Sequence, residues 1–271
     1  MIDFKKITAE SKLYTFHTHT QFCDGRDTME AIAATAAARG FTHIGFSPHS
    51  PIPFASPCNM SKASVPLYLD EICRLKAKYA GQMEIFQSME IDFTEVSGPA
   101  NDYYQQLPLD YRIGSVHFIP SFDNPQEQID IDGHPDEFAG KMHRYFHDDI
   151  EAVVRSFYAQ SVKMVEQGGF DIIGHFDKIG FNASCFKPGI DSEPWYDKLV
   201  QNLFEAIADH HLTVEVNTKS WKPYGRFFPA SRYFGMLKRS GLTVVFNSDA
   251  HFASKVNDGR MEAMRQYALA E

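Results

Sequence analysis

The chain has 271 residues, 44% of them hydrophobic, enough for one large core of the size in which an α/β barrel commonly forms a single domain. A formal charge of −9 and a pI near 5.7 provide no basic field to gather nucleic acid, so a small anionic ligand fits better than a polynucleotide. The N-terminal stretch MIDFKKITAES lacks the apolar run of a secretory signal, and no run of about 18 apolar residues occurs anywhere, so the expectation is a cytoplasmic protein without a membrane span.

In chain order, short β-rich runs alternate with longer helical patterns. LYTFHTH (13–19) is followed by a helix over 28–39, with Asp27 near its start, and HIGFSPH (43–49) runs into a loop from Pro48 to Pro57 that is too proline-rich to be helical. A helix over 65–80 leads to MEIFQSMEID (83–92) and then to YRIGSVHF (111–118). The segment from Pro120 to Asp148 is polar and turn-rich; because it follows a strand, it reads as an active-site insertion. A helix over 148–168, started by Asp149, precedes FDIIGHF (170–176). Helices over 192–211 and 230–240, with Ser192 and Ser231 near their starts, flank LTVEVN (212–217), and LTVVFNSDAH (242–251) is followed by a last helix over 257–269. This alternation is that of a βαβ protein with a parallel sheet. No repeat, low-complexity tract or linker interrupts it, so residues 1–271 read as one barrel domain.

Histidines and carboxylates collect at the ends of these runs. His17 and His19 close the first, His49 the second, Glu90 and Asp92 the third, His117 the fourth, His175 and Asp177 the fifth, Asn217 the sixth, and Asp249 with His251 the seventh. Each piece alone has an ordinary structural explanation. In a parallel barrel, however, the C-terminal strand ends meet on one face, so together these side chains form a site of imidazoles and carboxylates. The H-x-H pair sits on one side of its strand because side chains alternate with period two. His43, His134, His143, His147, His210 and His211 fall outside the pattern and read as structural. Cys23, Cys58, Cys73 and Cys185 are irregularly spaced without a CxxC, which points neither to disulfides nor to a thiolate zinc site. A ligand set without thiolate suits Zn, Fe(II) or Mn.

HTHTQFCDG (17–25), SPHSP (47–51), SMEID (88–92), GSVH (114–117), GHFD (174–177), EVN (215–217) and NSDAH (247–251) resemble, in order, the motifs of the polymerase and histidinol phosphatase (PHP) superfamily, in its histidinol-phosphatase branch. The resemblance spans residues 14–251. It implies an α/β fold, a distorted (β/α)7 TIM-like barrel with three divalent metal ions at the C-terminal strand ends. His17, His19, Glu90 and Asp249 would hold a first metal, and Glu90 would bridge to a second held by His117 and His175. His49 and His251 would hold the third, with Asp24 offered as its remaining ligand.

That site suggests hydrolysis of a small phosphomonoester, with L-histidinol phosphate the best candidate. No GxxxxGK[ST] loop and no serine or thiol nucleophile motif is present, which favours direct attack by hydroxide on the metals over a phosphoenzyme. Glu90, Asp249 and His251 are the catalytic candidates, the last two as proton donors. Where relatives often carry arginine after the fifth and sixth strands, this chain has Lys178 and then Lys219, Lys222 and Arg226, a group expected, with Asn217, to bind phosphate. Phe54, Phe118 or Asp92 would recognise an imidazole-bearing leaving group. The competing readings are a PHP phosphoesterase for another small phosphate or nucleotide, a polymerase-associated nuclease module, and a metal-binding protein without catalysis.

Overall fold

The computed structural model describes residues 2–271. Its first strands are β1 (Tyr14–Thr15), β2 (His43–Phe46), β3 (Glu84–Asp92) and β4 (Tyr111–Ser115). A two-stranded antiparallel hairpin follows, β5 (Phe118–Pro120) and β6 (Gln128–Asp130), and then β7 (Ile172–Ile173), β8 (Thr213–Asn217) and β9 (Val244–Asn247). Apart from the hairpin, all seven strands are parallel neighbours in chain order, β1-β2-β3-β4-β7-β8-β9. The sheet curls into a nearly closed barrel. At the seam Thr18 bridges Ala250, and the His19 N–H donates to the Ala250 carbonyl at 2.9 Å. All seven expected runs therefore hold strands of the barrel, although the ladders are shorter than the runs. β1 ends at Thr15 because the Phe16 N–H donates to the side-chain oxygen of Asn247, 2.8 Å away, instead of to a neighbouring backbone.

The helices are α1 (Phe4–Glu10), α2 (Met29–Ala38), α3 (Val65–Lys78), α4 (Asp102–Gln105), α5 (Pro135–Tyr145), α6 (Ile150–Gln167), α7 (Ile179–Phe186), α8 (Pro194–Asp209), α9 (Trp221–Tyr224), α10 (Phe234–Ser240) and α11 (Arg260–Leu269). Asp149 caps α6 as expected, its carboxylate accepting from the Ala152 N–H at 3.0 Å. At α2 the cap is Thr28, while Asp27 accepts from the Ala253 N–H. Ser192 and Ser231 sit in short 3-10 turns ahead of α8 and α10 and cap neither by their side chains; α8 starts instead at Pro194, whose missing N–H costs nothing at a first helical position. The 120–148 segment is more ordered than a turn-rich loop. It contains β6 and α5, and α5 buries Phe138 and Met142 in the main core. With Phe146 these residues stand four apart, the apolar stripe of a helix, which the surrounding polar residues mask in the sequence.

Inside the barrel two layers lie along the same strands. Near the N-terminal ends Tyr14, Phe16, Phe86, Tyr111, Ile113, Ile172 and Val245 form an apolar cluster, closed by Phe4 and Ile7 of α1. Phe4 meets the rings of Phe16 and Tyr111 edge-on at 4.9 and 5.4 Å. The C-terminal ends carry the polar layer. In β3, Met89 and Ile91 pack outward against α2 and α3, so Glu90 and Asp92 project to the other side, as period two demands.

Candidate metal centre

The bowl at the C-terminal strand ends is built by turns that leave the ladders. The loop after β2 is pinned along β3: the Ser50 N–H donates to the Glu90 carbonyl and the Glu90 N–H to that of Pro48, which sets His49 against Glu90. After β9 the chain turns at Asp249, whose φ of 48° is left-handed, a conformation aspartate tolerates better than most residues. The turn points the Asp249 carboxylate at His19 Nε2, 3.0 Å away.

The side chains gathered there are almost all buried. Glu90 lies between the others: Oε1 is 2.8 Å from His175 Nε2 and 3.4 Å from His117 Nε2, and Oε2 is 3.2 to 3.4 Å from His17, His19 and His49. Asp24 stands between His19, at 3.3 Å, and His251, at 3.1 Å. The ligand atoms of His19, Asp24, His49 and His251 lie within 4.8 Å of one another, as do those of His17, His19 and Asp249, and those of Glu90, His117 and His175.

These residues fit divalent cations on three grounds. Asp24 Oδ1, His49 Nδ1 and Asp249 Oδ1 are buried without a hydrogen-bond partner, a costly state for polar atoms unless a cation takes them. His17 Nε2 faces His19 Nε2 at 3.2 Å, and His117 Nε2 faces His175 Nε2 at 3.1 Å. With Nδ1 of His17 donating to Glu215 (2.8 Å) and Nδ1 of His117 to Asp92 (2.5 Å), it is the Nε2 proton that each ring would give up to a cation, leaving Nε2 as the ligand atom. The electrostatics agree. Burial alone would push His17 and His117 down, yet Glu215, Glu90 and Asp249 lift His17 to about 10, and Glu90 and Asp92 lift His117 to about 9. Burial would raise Glu90, but His17, His117 and His49 hold it well below the ordinary carboxylate range. The bowl is an anionic cluster that calls for positive charge. His251 is pushed down to about 4 by burial, Lys219 and His19, which leaves its ring neutral and a poor proton donor near pH 7.

The expected phosphate ligands divide. Lys178 and Lys219 line a cavity of about 360 Å³ over the bowl; Lys178 pairs with Asp132, and the Lys219 ammonium lies 3.2 Å from His251 Nε2. Lys222 lines an adjoining cavity of about 380 Å³ and pairs with Asp258 at 2.7 Å. Arg226 and Asn217 line neither cavity, and other side chains engage both. Arg226 is drawn to Asp191 (2.7 Å) and to the buried Asp177 (3.4 Å), where its charge is matched. The Asn217 amide donates to Asp249 at 3.1 Å and to Glu215 at 3.2 Å, so it orients a ligand.

Several residues were not visible as site residues. Glu215 accepts from His17 Nδ1, the His175 N–H and the amides of Asn217 and Asn247, tying four strand ends together. Its position two residues before Asn217 on β8 was the signal. Asp92, already a candidate from its strand end, is fully buried and borders the cavity, with one oxygen toward His117 Nδ1 and the other accepting from Asn59 Nδ2 (2.6 Å). Asp130, Asp132 and Glu137 of the insertion line the cavity.

A family model described as "PHP domain" matches residues 15–219. A protein of Deinococcus radiodurans described as "Probable histidinol-phosphatase" is 27% identical over 264 residues, covering 92% of this chain and 90% of the relative. The histidinol-phosphatase of Bacillus subtilis is 28% identical over 256 residues, covering 89% of this chain and 94% of the relative. Among solved structures, a histidinol phosphate phosphatase of Lactococcus lactis, in complex with zinc, L-histidinol and phosphate, superposes with a TM-score of 0.71 at 20% identity, over 93% of each chain.

Proposed function

The chain belongs to the PHP domain family, and from that premise we propose that it is a phosphomonoesterase that hydrolyses L-histidinol phosphate to L-histidinol and phosphate, a step of histidine biosynthesis. The observation that carries the reading is the convergence of His17, His19, Asp24, His49, Glu90, His117, His175, Asp249 and His251 in one buried bowl, in a chain whose full-length relatives bear that name. We take the resident ions to be three, of the Zn, Fe(II) or Mn kind, held by these side chains in an all-imidazole and carboxylate set. When bound, such ions acidify a water and neutralise the phosphoryl oxygens.

The protein's own contribution is positional. Glu90, with one oxygen toward His117 and His175 and the other toward His17, His19 and His49, fixes the spacing of the ligand groups. Lys178 and Lys219 bring cations to the cavity wall where a phosphate would sit. Asp249, held ionised, and His251, held neutral, would both serve as ligands, so the leaving alkoxide would take its proton from water. A polynucleotide substrate is disfavoured by the net charge of −9 and by Asp130, Asp132 and Glu137 in the cavity wall. The test is an assay of metal-reconstituted protein on L-histidinol phosphate, 4-nitrophenyl phosphate, a sugar phosphate and single-stranded DNA. The first should have the highest kcat/KM, although the aryl alcohol is the better leaving group, because binding of the imidazole and amine orients the phosphate. A higher value for any other substrate would withdraw the named one.

A further inference from the structure

The turn after β7 carries His175 and Lys178, both already placed at the bowl, and beside Lys178 stands Asp177, which the chemistry does not use. Asp177 is fully buried, and its partners lie on the side of the helices. Oδ1 accepts from the hydroxyls of Tyr158 on α6 (3.0 Å) and Tyr196 on α8 (2.5 Å). Oδ2 accepts from the Ala230 N–H (3.0 Å) and faces the guanidinium of Arg226 (3.4 Å), which also pairs with Asp191 at 2.7 Å. Arg226 and Ala230 belong to the loop after β8, the loop that carries Lys219 and Lys222. One carboxylate thus joins the two loops that bring lysines to the cavities.

Two features set this contact apart from an ordinary ion pair. Arg226 Nε is buried without a hydrogen-bond partner, so the guanidinium is held there against a desolvation penalty. Gly180 makes the room: a Cβ at that position would lie 2.6 Å from the Arg226 guanidinium and would also meet the Tyr196 hydroxyl. Within α7 a glycine, a poor helix former, stands where an alanine would push Arg226 off Asp177. We propose that Asp177 and Arg226 form a strut between the loops after β7 and β8, and that this strut sets Lys178 against Lys219 and so the affinity of the site for a phosphoryl group. Both are positioning residues and touch no substrate. The assignment rests on the reading of Lys178 and Lys219 as the phosphate cations.

The experiment uses metal-reconstituted enzyme and measures Ki for inorganic phosphate against 4-nitrophenyl phosphate hydrolysis, with zinc affinity read separately by competition with a chelator. Gly180→Ala keeps every charge and displaces the guanidinium; Arg226→Ala removes it. In both, Ki for phosphate and KM should rise about tenfold while zinc affinity stays within about twofold of wild type. The metal ligand on the same turn is spared because the His175 N–H is fixed by Glu215 at 2.9 Å. Added guanidinium ion should restore part of the Ki of Arg226→Ala, which a general packing defect would not allow. Arg232→Ala, which breaks contacts to Asp191 and Asp197 and leaves Asp177 alone, should lower the melting temperature without moving Ki. If Gly180→Ala misfolds, Arg226→Lys reads the same Ki, since it keeps the charge and loses the fork that spans Asp177 and Asp191. An unchanged Ki in these variants of an enzyme that phosphate inhibits overturns the strut alone, as does zinc affinity lost in step with Ki. A wild type that phosphate does not inhibit overturns the reading of the lysines and the strut with it.

Discussion

The two ends of the barrel are made from the same strands and do opposite things. In β3, Phe86 belongs to the aromatic layer that α1 closes, and Glu90, four residues on, lies among imidazoles. Tyr14 and Val245 stand below His19 and Asp249 in the same way. The lower end gains stability from burial, roughly 25 cal/mol for each Å² of apolar surface removed from water. The upper end buries carboxylates and imidazoles that cost stability until cations are bound. Stability and chemistry are thus separated along one axis, and substitutions at each end should separate them in measurement.

The largest effect should come from the top. Glu90→Gln removes the charge that faces both ligand groups, and kcat of the reconstituted enzyme should fall by roughly 10³-fold or more; the metal-free protein should also lose stability near pH 7, because the buried rings of His17 and His117 lose the carboxylate that holds them protonated. Turnover near wild type would take Glu90 out of the site. At the bottom, Phe4→Ala should cost about 3 kcal/mol in urea unfolding while turnover per folded molecule stays the same. A loss of kcat in step with stability would show that the two ends are coupled.

A pH series on stripped protein probes the top alone. His17 and His117 are raised in the folded state, to about 10 and about 9, so in the metal-free protein their contribution is fully present below the unfolded value near 6.5 and is lost as pH climbs toward those values. Glu90, Asp24 and Asp249 are depressed and already ionised throughout this range; His49, His175 and His251 are depressed too and change the balance only below about 6.5. From pH 7 to 9 the stripped protein should therefore lose stability, on the order of 4 kcal/mol from the two rings together, and His19, also raised in the fold, adds to the loss. The gain from adding zinc should grow over the same window, because imidazole ligands must shed their protons to bind metal. A thermal melt series with and without zinc checks both, and a gain that shrinks with pH would contradict the protonation assigned to His17 and His117.

The top was far more legible in sequence than the bottom or the insertion. Histidines and carboxylates are uncommon at strand ends, so the candidate ligands His17, His49, Glu90, His117, His175 and Asp249 announce themselves one by one in chain order. Phe4 and Ile7 look like any apolar pair near a terminus, and α1 has only seven residues, too short to register by periodicity. Asp130 and Asp132 alternate along QIDID, a strand signal, but what they face depends on how the hairpin folds back, and sequence spacing does not report that. Arg226 shows the converse: its position fitted phosphate binding, and buried Asp177 and Asp191 claimed it.

The smallest effect expected tests whether the ligands depend on the residues behind them. All four partners of Glu215 donate to it: His17 Nδ1, the His175 N–H, and the amides of Asn217 and Asn247. A carboxylate can accept them all, but Glu215→Gln offers one oxygen and turns an NH₂ toward at least one donor. The partner best able to yield is His17, which can move its proton to Nε2, the atom that faces His19 and the metal site. That tautomer cannot ligate through Nε2, so metal affinity should weaken by about 10- to 100-fold while the fold persists. Competition titration against a chelator measures the affinity directly. Excess metal should restore much of the lost turnover, which a simple packing defect would not allow. An affinity within twofold of wild type would mean that His17 is oriented by the bowl itself and that Glu215 serves only to hold the strand ends together.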